Sequence, residues 1–392
     1  MAHKLPDEVI HAIVRALAQL APPSLLVQVA LVSPSFRTVV RQLLLRQPQV
    51  NSSTDAQALL RQLERTPELV EQARSLIVAR GARKRLRTAG KGKKAAEKWM
   101  EDFVTEEDLV KLCARLAHLE AVHLREPAFS SLRRRQLSCF SHLSSLTTLA
   151  INGRPSSPFN LSTVGQVLLT LPHLHHLALR HIHCFPSALD GLPRPTNALS
   201  SFALFSVPGI SDEQLYWLLY SSINAESLSS IAFDITPTIL PSFLYPVRWA
   251  PIRTTDIVVT TAQVGVLEHL PRHCPSLRRF TFRSTEGRLR ATRLLSACDI
   301  LGSVDELVDV SDAPHGLSTR GLARALLRRD ERSSARLRRI TLTVSKREDK
   351  DVDVLKTVCE LEGVELNFAD VALREGEPWI PERFSSLRAV EA

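Results

Sequence analysis

Apolar residues recur along most of the chain in one short motif, in which an apolar residue is followed by others three and five positions later. The first five clear copies begin 27, 28, 25 and 29 residues apart. Because apolar and other positions alternate at the end of the motif, each copy predicts a short β-strand. The clear copies are Leu119/Val122/Leu124, Leu146/Leu149/Ile151, Leu174/Leu177/Leu179, Leu199/Phe202/Leu204, Leu228/Ile231/Phe233, Leu277/Phe280/Phe282, Leu337/Ile340/Leu342 and Leu361/Val364/Leu366. Weaker copies lie at 257–259, 304–310 and 387–390, and an early one is Ala73/Leu76/Val78.

Amphipathic stretches between these copies predict helices. Thr105 and Ser211 each precede acidic residues, which is typical of a helix start because a hydroxyl caps the first N–H groups and carboxylates favour the positive end of the helix dipole. Pro172 and Pro275 each end a helix shortly before a strand. The predicted helices are Thr105–Leu116, Ser162–Leu171, Ser211–Ile223, Thr261–Leu270, Ser318–Arg329 and Asp351–Leu361.

A repeated unit of helix, turn and short strand cannot bury its apolar side alone. Stacking such units gives an α/β fold with one inner parallel sheet and helices outside, and the motif resembles that of an irregular leucine-rich repeat. We therefore predict a solenoid over residues 105–392. Side chains that alternate with the buried strand positions would line its concave face and are candidate substrate-binding residues. They are His123, Arg125, Thr148, Asn152, His176, Arg180, Phe205, Asp234, Arg279, Thr281, Arg283, Arg339, Thr341, Glu365 and Asn367.

The amino-terminal residues have a different pattern. Asp7 to Leu17 has apolar residues on one helical side, Leu25 to Val32 predicts a second helix, and Ser33-Pro34 begins a third that continues to Leu45. Three helices this short bury too little apolar surface to be comfortably stable alone. A partner or the adjoining repeats must cover part of that surface.

This block resembles the F-box, and the match covers residues 3–47. The sequence L-P-D-E-V-I at residues 5–10 is followed by a leucine-rich second helix and then by V-S-P-S-F-R at residues 32–37. Phe36 stands where the family often has tryptophan, and Pro34 replaces a usual basic residue.

The resemblance implies a non-catalytic substrate-recognition subunit of an SCF-type (cullin-RING) ubiquitin ligase. In such complexes the F-box binds a Skp adaptor, which connects it to the cullin, and the repeat domain binds a protein substrate. Leu5 and Pro6 would enter the adaptor's groove, supported by further adaptor-binding residues. These are Val9, Ile10, Ile13, Leu26, Val29, Leu31 and Val32. An alternative is that the helices only cap the repeat array of a scaffold outside any ligase.

The net charge of +9 comes almost entirely from one segment. Residues 80–98 hold nine Lys or Arg and one Glu, a net +8, so the other 373 residues carry about +1. The segment lengthens the first repeat interval to 46 residues, from Ala73 to Leu119, and we interpret 81–104 as an insertion after linker helices and a first strand in 48–80. Three interpretations of this insertion are open: a disordered loop, a nuclear localisation signal, or a contact for nucleic acid or an acidic partner. The candidate localisation residues are Arg83, Lys84, Arg85, Arg87, Lys91, Lys93 and Lys94.

Other classes of function find little support. The sequence has no Gly-rich phosphate loop, G-x-S-x-G or H-E-x-x-H motif, so we predict no catalytic site and no cofactor. The histidines and the cysteine in 173–184 lack zinc-ligand spacing, and the adjacent His175 and His176 would face opposite ways on a strand. Six scattered cysteines, no secretory signal and no apolar run of roughly 18 residues predict an intracellular protein of the cytoplasm or nucleus that does not enter a membrane.

Overall fold

The protein is a mixed α/β molecule with parallel sheets. The computed structural model describes residues 6–20, 26, 28–79, 84–86, 98–100, 102–234, 254–259, 278–284, 288–291, 295, 304–311, 315–328 and 337–369. The chain divides into two compact units between Phe159 and Asn160. None of the helices within the described ranges is long and apolar enough to cross a membrane.

The first unit combines helices with a parallel sheet. Strands β1, β2, β5 and β6 pair side by side in that order, with Ile77 opposite His123 and His123 opposite Ala150. Strands β3 and β4 form a separate antiparallel pair within the insertion at residues 81–104. The helices are α1 (Asp7–Leu20), α2 (Pro34–Arg46), α3 (Ser53–Arg65), α4 (Glu68–Gln72), α5 (Glu106–Arg115) and α6 (Arg134–Leu137). The strands are β1 (Gln49–Val50), β2 (Ser75–Ala79), β3 (Lys84–Leu86), β4 (Lys98–Met100), β5 (Ala121–Arg125), β6 (Thr148–Asn152) and, at the boundary, β7 (Phe159–Asn160).

The second unit contains a longer run of parallel strands. Strands β8, β10, β11, β12, β13, β15, β17 and β18 pair in that order, and β14 pairs separately with β16. The strands are β8 (His176–Arg180), β9 (Ile182–His183), β10 (Ser201–Phe205), β11 (Ser230–Asp234), β12 (Thr254–Val259), β13 (Arg279–Ser284), β14 (Arg288–Leu289), β15 (Glu306–Asp309), β16 (Gly316–Leu317), β17 (Arg339–Thr343) and β18 (Glu365–Ala369). The helices are α7 (Leu161–Thr170), α8 (Asp212–Asn224), α9 (Thr319–Leu326) and α10 (Val352–Leu361).

The repeated apolar positions form continuous buried rows because each strand keeps the same register with its neighbours. Leu76, Val122 and Leu149 lie side by side in the first unit, and all three are buried. Leu177, Phe202 and Ile231 form the corresponding row in the second unit. Within each unit, the copies in these rows therefore contribute buried side chains to a core shared with the neighbouring copy, whereas Leu361 in the last clear copy is 75% exposed.

The chain leaves several strands through the same backbone turn. Glu126, His181 and Ser206 directly follow β5, β8 and β10, and each has a φ of about +50°. The Glu126 N–H donates to the Asn152 carbonyl, and the His181 N–H donates to the Phe205 carbonyl. This left-handed conformation is unfavourable for residues other than glycine, so the hydrogen bonds and strand packing must hold it in place.

Most predicted helices are confirmed, with ends that differ from the prediction by three residues or fewer. The helices α5, α7, α8, α9 and α10 correspond to five of the six predictions, whereas Thr261–Leu270 lies outside the described residues. Two weak copies of the motif are also strands, β12 and β15. The weak copy at 387–390 lies outside the described residues.

Candidate functional site

The amino-terminal helices enclose a small core of their own. Ile10, Val14, Leu26, Val39 and Val40 are buried together. The partly buried residues packed against this cluster are Val29, Ala30, Phe36 and Leu44. The Ser33 hydroxyl accepts a hydrogen bond from the Phe36 N–H at 3.3 Å, which caps α2, and Pro34 occupies the first turn, where its missing N–H costs nothing.

A second set of apolar side chains in the same module is exposed. Val9 and Ile13 are one turn apart on α1 and have 41% and 37% of their surface accessible. Leu31 and Val32 lie in the turn before α2 and are 73% and 71% exposed. Exposure on this scale in so small a module is unusual for apolar side chains and marks a surface that another molecule can cover.

The predicted adaptor-binding residues therefore fall into two groups. Ile10 and Leu26 belong to the core, and Val29 packs partly against it. Their contribution is to hold the helices together. The exposed members are Pro6, Val9, Ile13, Leu31 and Val32. Leu5 lies outside the described residues.

On the sheet of the first unit, several candidate substrate-binding residues are polar and buried. His123 is only 3% exposed, and Thr148 and Asn152 are also buried. Neither ring nitrogen of His123 has a hydrogen-bond partner, and burial together with the charge of Arg125 lowers the pKa of His123 to about 4. His123 is therefore neutral at physiological pH.

In the second unit, a row of charges crosses four neighbouring strands. Arg279, Glu306, Arg339 and Glu365 lie opposite one another in register on β13, β15, β17 and β18. The Arg279 Nε is 3.6 Å from a Glu306 carboxylate oxygen, and the Arg339 Nε donates to the Glu365 Oε2 at 2.8 Å. Glu365 and Glu306 raise the pKa of Arg339, while Asn367 and Arg339 lower the pKa of Glu365. The row is largely self-neutralising, so its basic members are not a free anion site.

Sequence reasoning missed Glu306 because its repeat is one of the weak copies. The signal was the run Asp305-Glu306-Leu307-Val308, in which Glu306 precedes two buried strand residues.

The other candidate face residues differ in burial. The buried ones are Phe205 and Thr281, and the exposed ones are Arg339 and Glu365. The half-buried ones are Arg125, His176, Arg180, Thr341 and Asn367. Only the backbone is described for Asp234 and Arg283.

Part of the basic insertion is ordered into an antiparallel strand pair. Arg85 lies opposite Trp99, and Lys84 lies opposite Met100. The rest of the candidate localisation residues, Arg83, Arg87, Lys91, Lys93 and Lys94, lie outside the described residues.

The cysteines and histidines do not assemble into a reactive centre within the described ranges, where no three His, Cys, Asp or Glu side chains converge as metal ligands. Burial raises the pKa of Cys184 to about 12 and that of Cys359 to about 11, so neither thiol is ionised near neutrality. A thiol hydrogen bond from Cys113 lowers the pKa of the buried Cys139. These thiols have the surroundings of core residues.

Comparison with known proteins identifies no family for this chain. No protein-family model matches the sequence, and no curated protein gives a significant match.

Proposed function

We propose that the chain is the substrate-recognition subunit of an SCF-type (cullin-RING) ubiquitin ligase. Its amino-terminal helices are an F-box that binds a Skp adaptor, and its repeated strands are an irregular leucine-rich-repeat solenoid that binds a protein substrate. The chain carries no part of the ubiquitin-transfer chemistry, which belongs to other subunits.

The observation that carries this proposal is that α1 has two apolar faces. Ile10 and Val14 supply the internal core, whereas Val9 and Ile13 lie about 100° around the helix and stay exposed. A helix that only caps a repeat array needs one apolar face, with a polar face toward solvent. A partner that covers the second face would form a more stable complex, because burying an exposed Val or Ile side chain contributes about 1.5–3 kcal/mol at most.

The regular register of the second unit supports the receptor half of the proposal. Its parallel strands place varied side chains of successive repeats in adjacent rows, for example Arg339 beside Glu365 and the half-buried Thr341 beside Asn367. Such a surface can recognise an extended protein segment by a combination of polar and apolar contacts.

The docking face is tested with the full chain and a Skp adaptor. The double variant Val9→Glu/Ile13→Glu places two carboxylates on the exposed face without touching Ile10 or Val14. We expect at least tenfold weaker adaptor binding, or about 1.4 kcal/mol, in co-elution and titration experiments. Leu31→Glu/Val32→Glu should have the same effect if the turn belongs to the docking surface.

The matched control is Val354→Glu/Leu361→Glu, which changes two apolar residues on α10 that are 55% and 75% exposed. This variant should keep wild-type adaptor binding. Thermal unfolding of each variant must match that of the wild type, so that a lost complex reflects docking and not folding. Undiminished adaptor binding by Val9→Glu/Ile13→Glu would contradict the assignment.

A further inference from the structure

Aromatic side chains are concentrated at one exposed place in the second unit. The whole chain has only three tyrosines and four tryptophans, yet Tyr216, Trp217 and Tyr220 lie within two turns of α8. The rings of Tyr216 and Tyr220 meet edge to face, with their centroids 5.6 Å apart. Tyr216 is exposed, so this contact belongs to the surface of the unit and not to its core.

Arg194 extends from a neighbouring loop onto these rings. Its guanidinium carbon is 4.1 Å from the ring centroid of Tyr220 and 5.7 Å from that of Tyr216. Both distances are within the range of favourable cation–π contact. The residue itself is exposed, and none of its N–H groups forms a hydrogen bond or an ion pair, as judged within the described residues.

The loop that carries Arg194 is fixed on both sides of it. The Trp217 Nε1 donates to the Leu192 carbonyl at 3.4 Å, and the Ser221 hydroxyl donates to the Pro195 carbonyl. Prolines at 193 and 195 flank Arg194, which restricts its backbone to extended conformations. The backbone on both sides of Arg194 is therefore anchored, and the guanidinium already contacts the two tyrosine rings before any ligand arrives.

From this arrangement we infer that Arg194, Tyr216 and Tyr220 form a docking site for a single carboxylate side chain of a partner protein. A guanidinium presents paired N–H donors that match the two oxygens of a carboxylate, and stacking on tyrosine leaves those donors free in the plane. Because the ring contacts and the anchored backbone already favour this position of the arginine, binding loses less side-chain entropy than it would for an unsupported arginine. Arginine, tyrosine and tryptophan are also the residues most enriched at energetic centres of protein interfaces.

The local charge favours an acidic peptide over nucleic acid. Glu213 lies one turn before Tyr216 on α8 and is exposed, and Asp190 is exposed four residues before Arg194. Binding of a nucleic-acid backbone depends on several cations that neutralise successive phosphates. A single arginine with exposed carboxylates nearby matches a ligand that brings one negative charge, because those carboxylates would repel a run of phosphates more strongly. The inference does not depend on the proposed ligase function, since α1 takes no part in it.

A random peptide library displayed on phage is the probe, selected against the full-length wild-type chain and against Arg194→Lys. Lysine keeps the charge but lacks the planar, bidentate donor set. We expect Asp or Glu to be enriched in peptides selected by the wild type and not in those selected by Arg194→Lys. Arg320→Ala, which removes an exposed arginine of α9, should select the same acidic peptides as the wild type.

Selected peptides are then titrated individually by fluorescence anisotropy. Replacing the acidic residue with its amide should weaken binding about tenfold, as should Arg194→Lys or Tyr220→Leu, whereas Tyr220→Phe should retain most of the affinity because it keeps the ring. The inference is overturned if no acidic residue is enriched, if Arg194→Lys selects and binds the same peptides, or if a single-stranded oligonucleotide displaces them from the same site. Adaptor binding by α1 should be unchanged in every Arg194 and Tyr220 variant.

Discussion

His123 illustrates how a single buried side chain can set the pH dependence of stability. The strand pattern of the sequence places it among the candidate residues of the concave face, with nothing to indicate that it is buried. In the fold it lies between Ile77 and Ala150 on the sheet, almost fully buried, with both ring nitrogens unpartnered. Its neutral form is favoured because an imidazolium there would lose its hydration and lie beside Arg125.

The lowered pKa of His123 should make the folded protein less stable in acid. The pKa of His123 falls from 6.5 in the unfolded chain to about 4 in the fold, so only the unfolded state binds the proton between those values. Stability should therefore fall as the pH decreases from 6.5 to 4, by about 3 kcal/mol from this group, and level off below that. In His123→Leu this contribution is absent. Urea unfolding of both proteins between pH 4 and 6.5 measures the contribution of His123 to the unfolding free energy. A difference in unfolding free energy between wild type and variant that does not change with pH would contradict the prediction.

At the scale of elements, one buried ion pair joins three segments of the second unit. Lys346, in the turn after β17, donates to Asp309 at the end of β15 and, at 3.1 Å, to the Leu317 carbonyl on β16. The Asp309 carboxylate also accepts the Leu317 and Ser311 N–H groups, at 2.7 and 2.9 Å. Gly316 has a φ of +71°, and a Cβ there would lie 2.6 Å from that carboxylate.

Breaking this pair on one side should be costly. Lys346→Met leaves the Asp309 carboxylate buried without its cation, and we expect a loss of about 3–5 kcal/mol of unfolding free energy. The matched control is Lys356→Met, which breaks the exposed Lys356–Asp353 pair at 2.9 Å and should cost less than about 1 kcal/mol. Urea titration measures both. Equal losses in the two variants would mean that burial of the Asp309–Lys346 pair has no energetic consequence.

At the scale of the whole molecule, charge is distributed unevenly. The net charge of +9 is the sum of +8 in residues 80–98 and about +1 elsewhere. In the folded second unit, basic side chains such as Arg279 and Arg339 are paired with acids on neighbouring strands. Long-range attraction to polyanions must therefore come mainly from the basic segment.

Replacing the nine Lys and Arg residues of 80–98 with Gln and Ser tests this distribution. We expect the variant to elute from a heparin column in the low-salt wash, whereas the wild type is retained to higher salt, because fewer cations on the protein release fewer counterions on binding. Circular dichroism should change little, since the β2–β5 pairing lies outside the substituted residues and only the short β3–β4 pair contains any of them. Retention of the variant would place the polyanion-binding charge on the folded units. The cellular distribution of a fluorescent fusion, compared between the two proteins, tests the proposed localisation signal.

The sequence by itself determined the repeating elements of this protein. The strand motif is a strong signal because the same side chains satisfy both strand alternation and a shared core, as the buried row of Leu76, Val122 and Leu149 shows. Helix starts at Thr105 and Ser211 were equally predictable because a cap is a local interaction: each hydroxyl accepts the N–H three residues later. The resemblance of residues 3–47 also needed no tertiary information.

Only the tertiary structure decided which candidate residues are available and which are already used. Ile10 and Val9 are adjacent and alike in the sequence, yet one is core and the other is exposed, because the packing of α2 against α1 selects one face. Arg279, Arg339 and Glu365 become one neutralised row through strand register, and Arg194 meets Tyr220 from 26 residues away. These relations depend on distances between segments that are far apart in the chain, and local patterns of apolar and polar residues do not encode such distances.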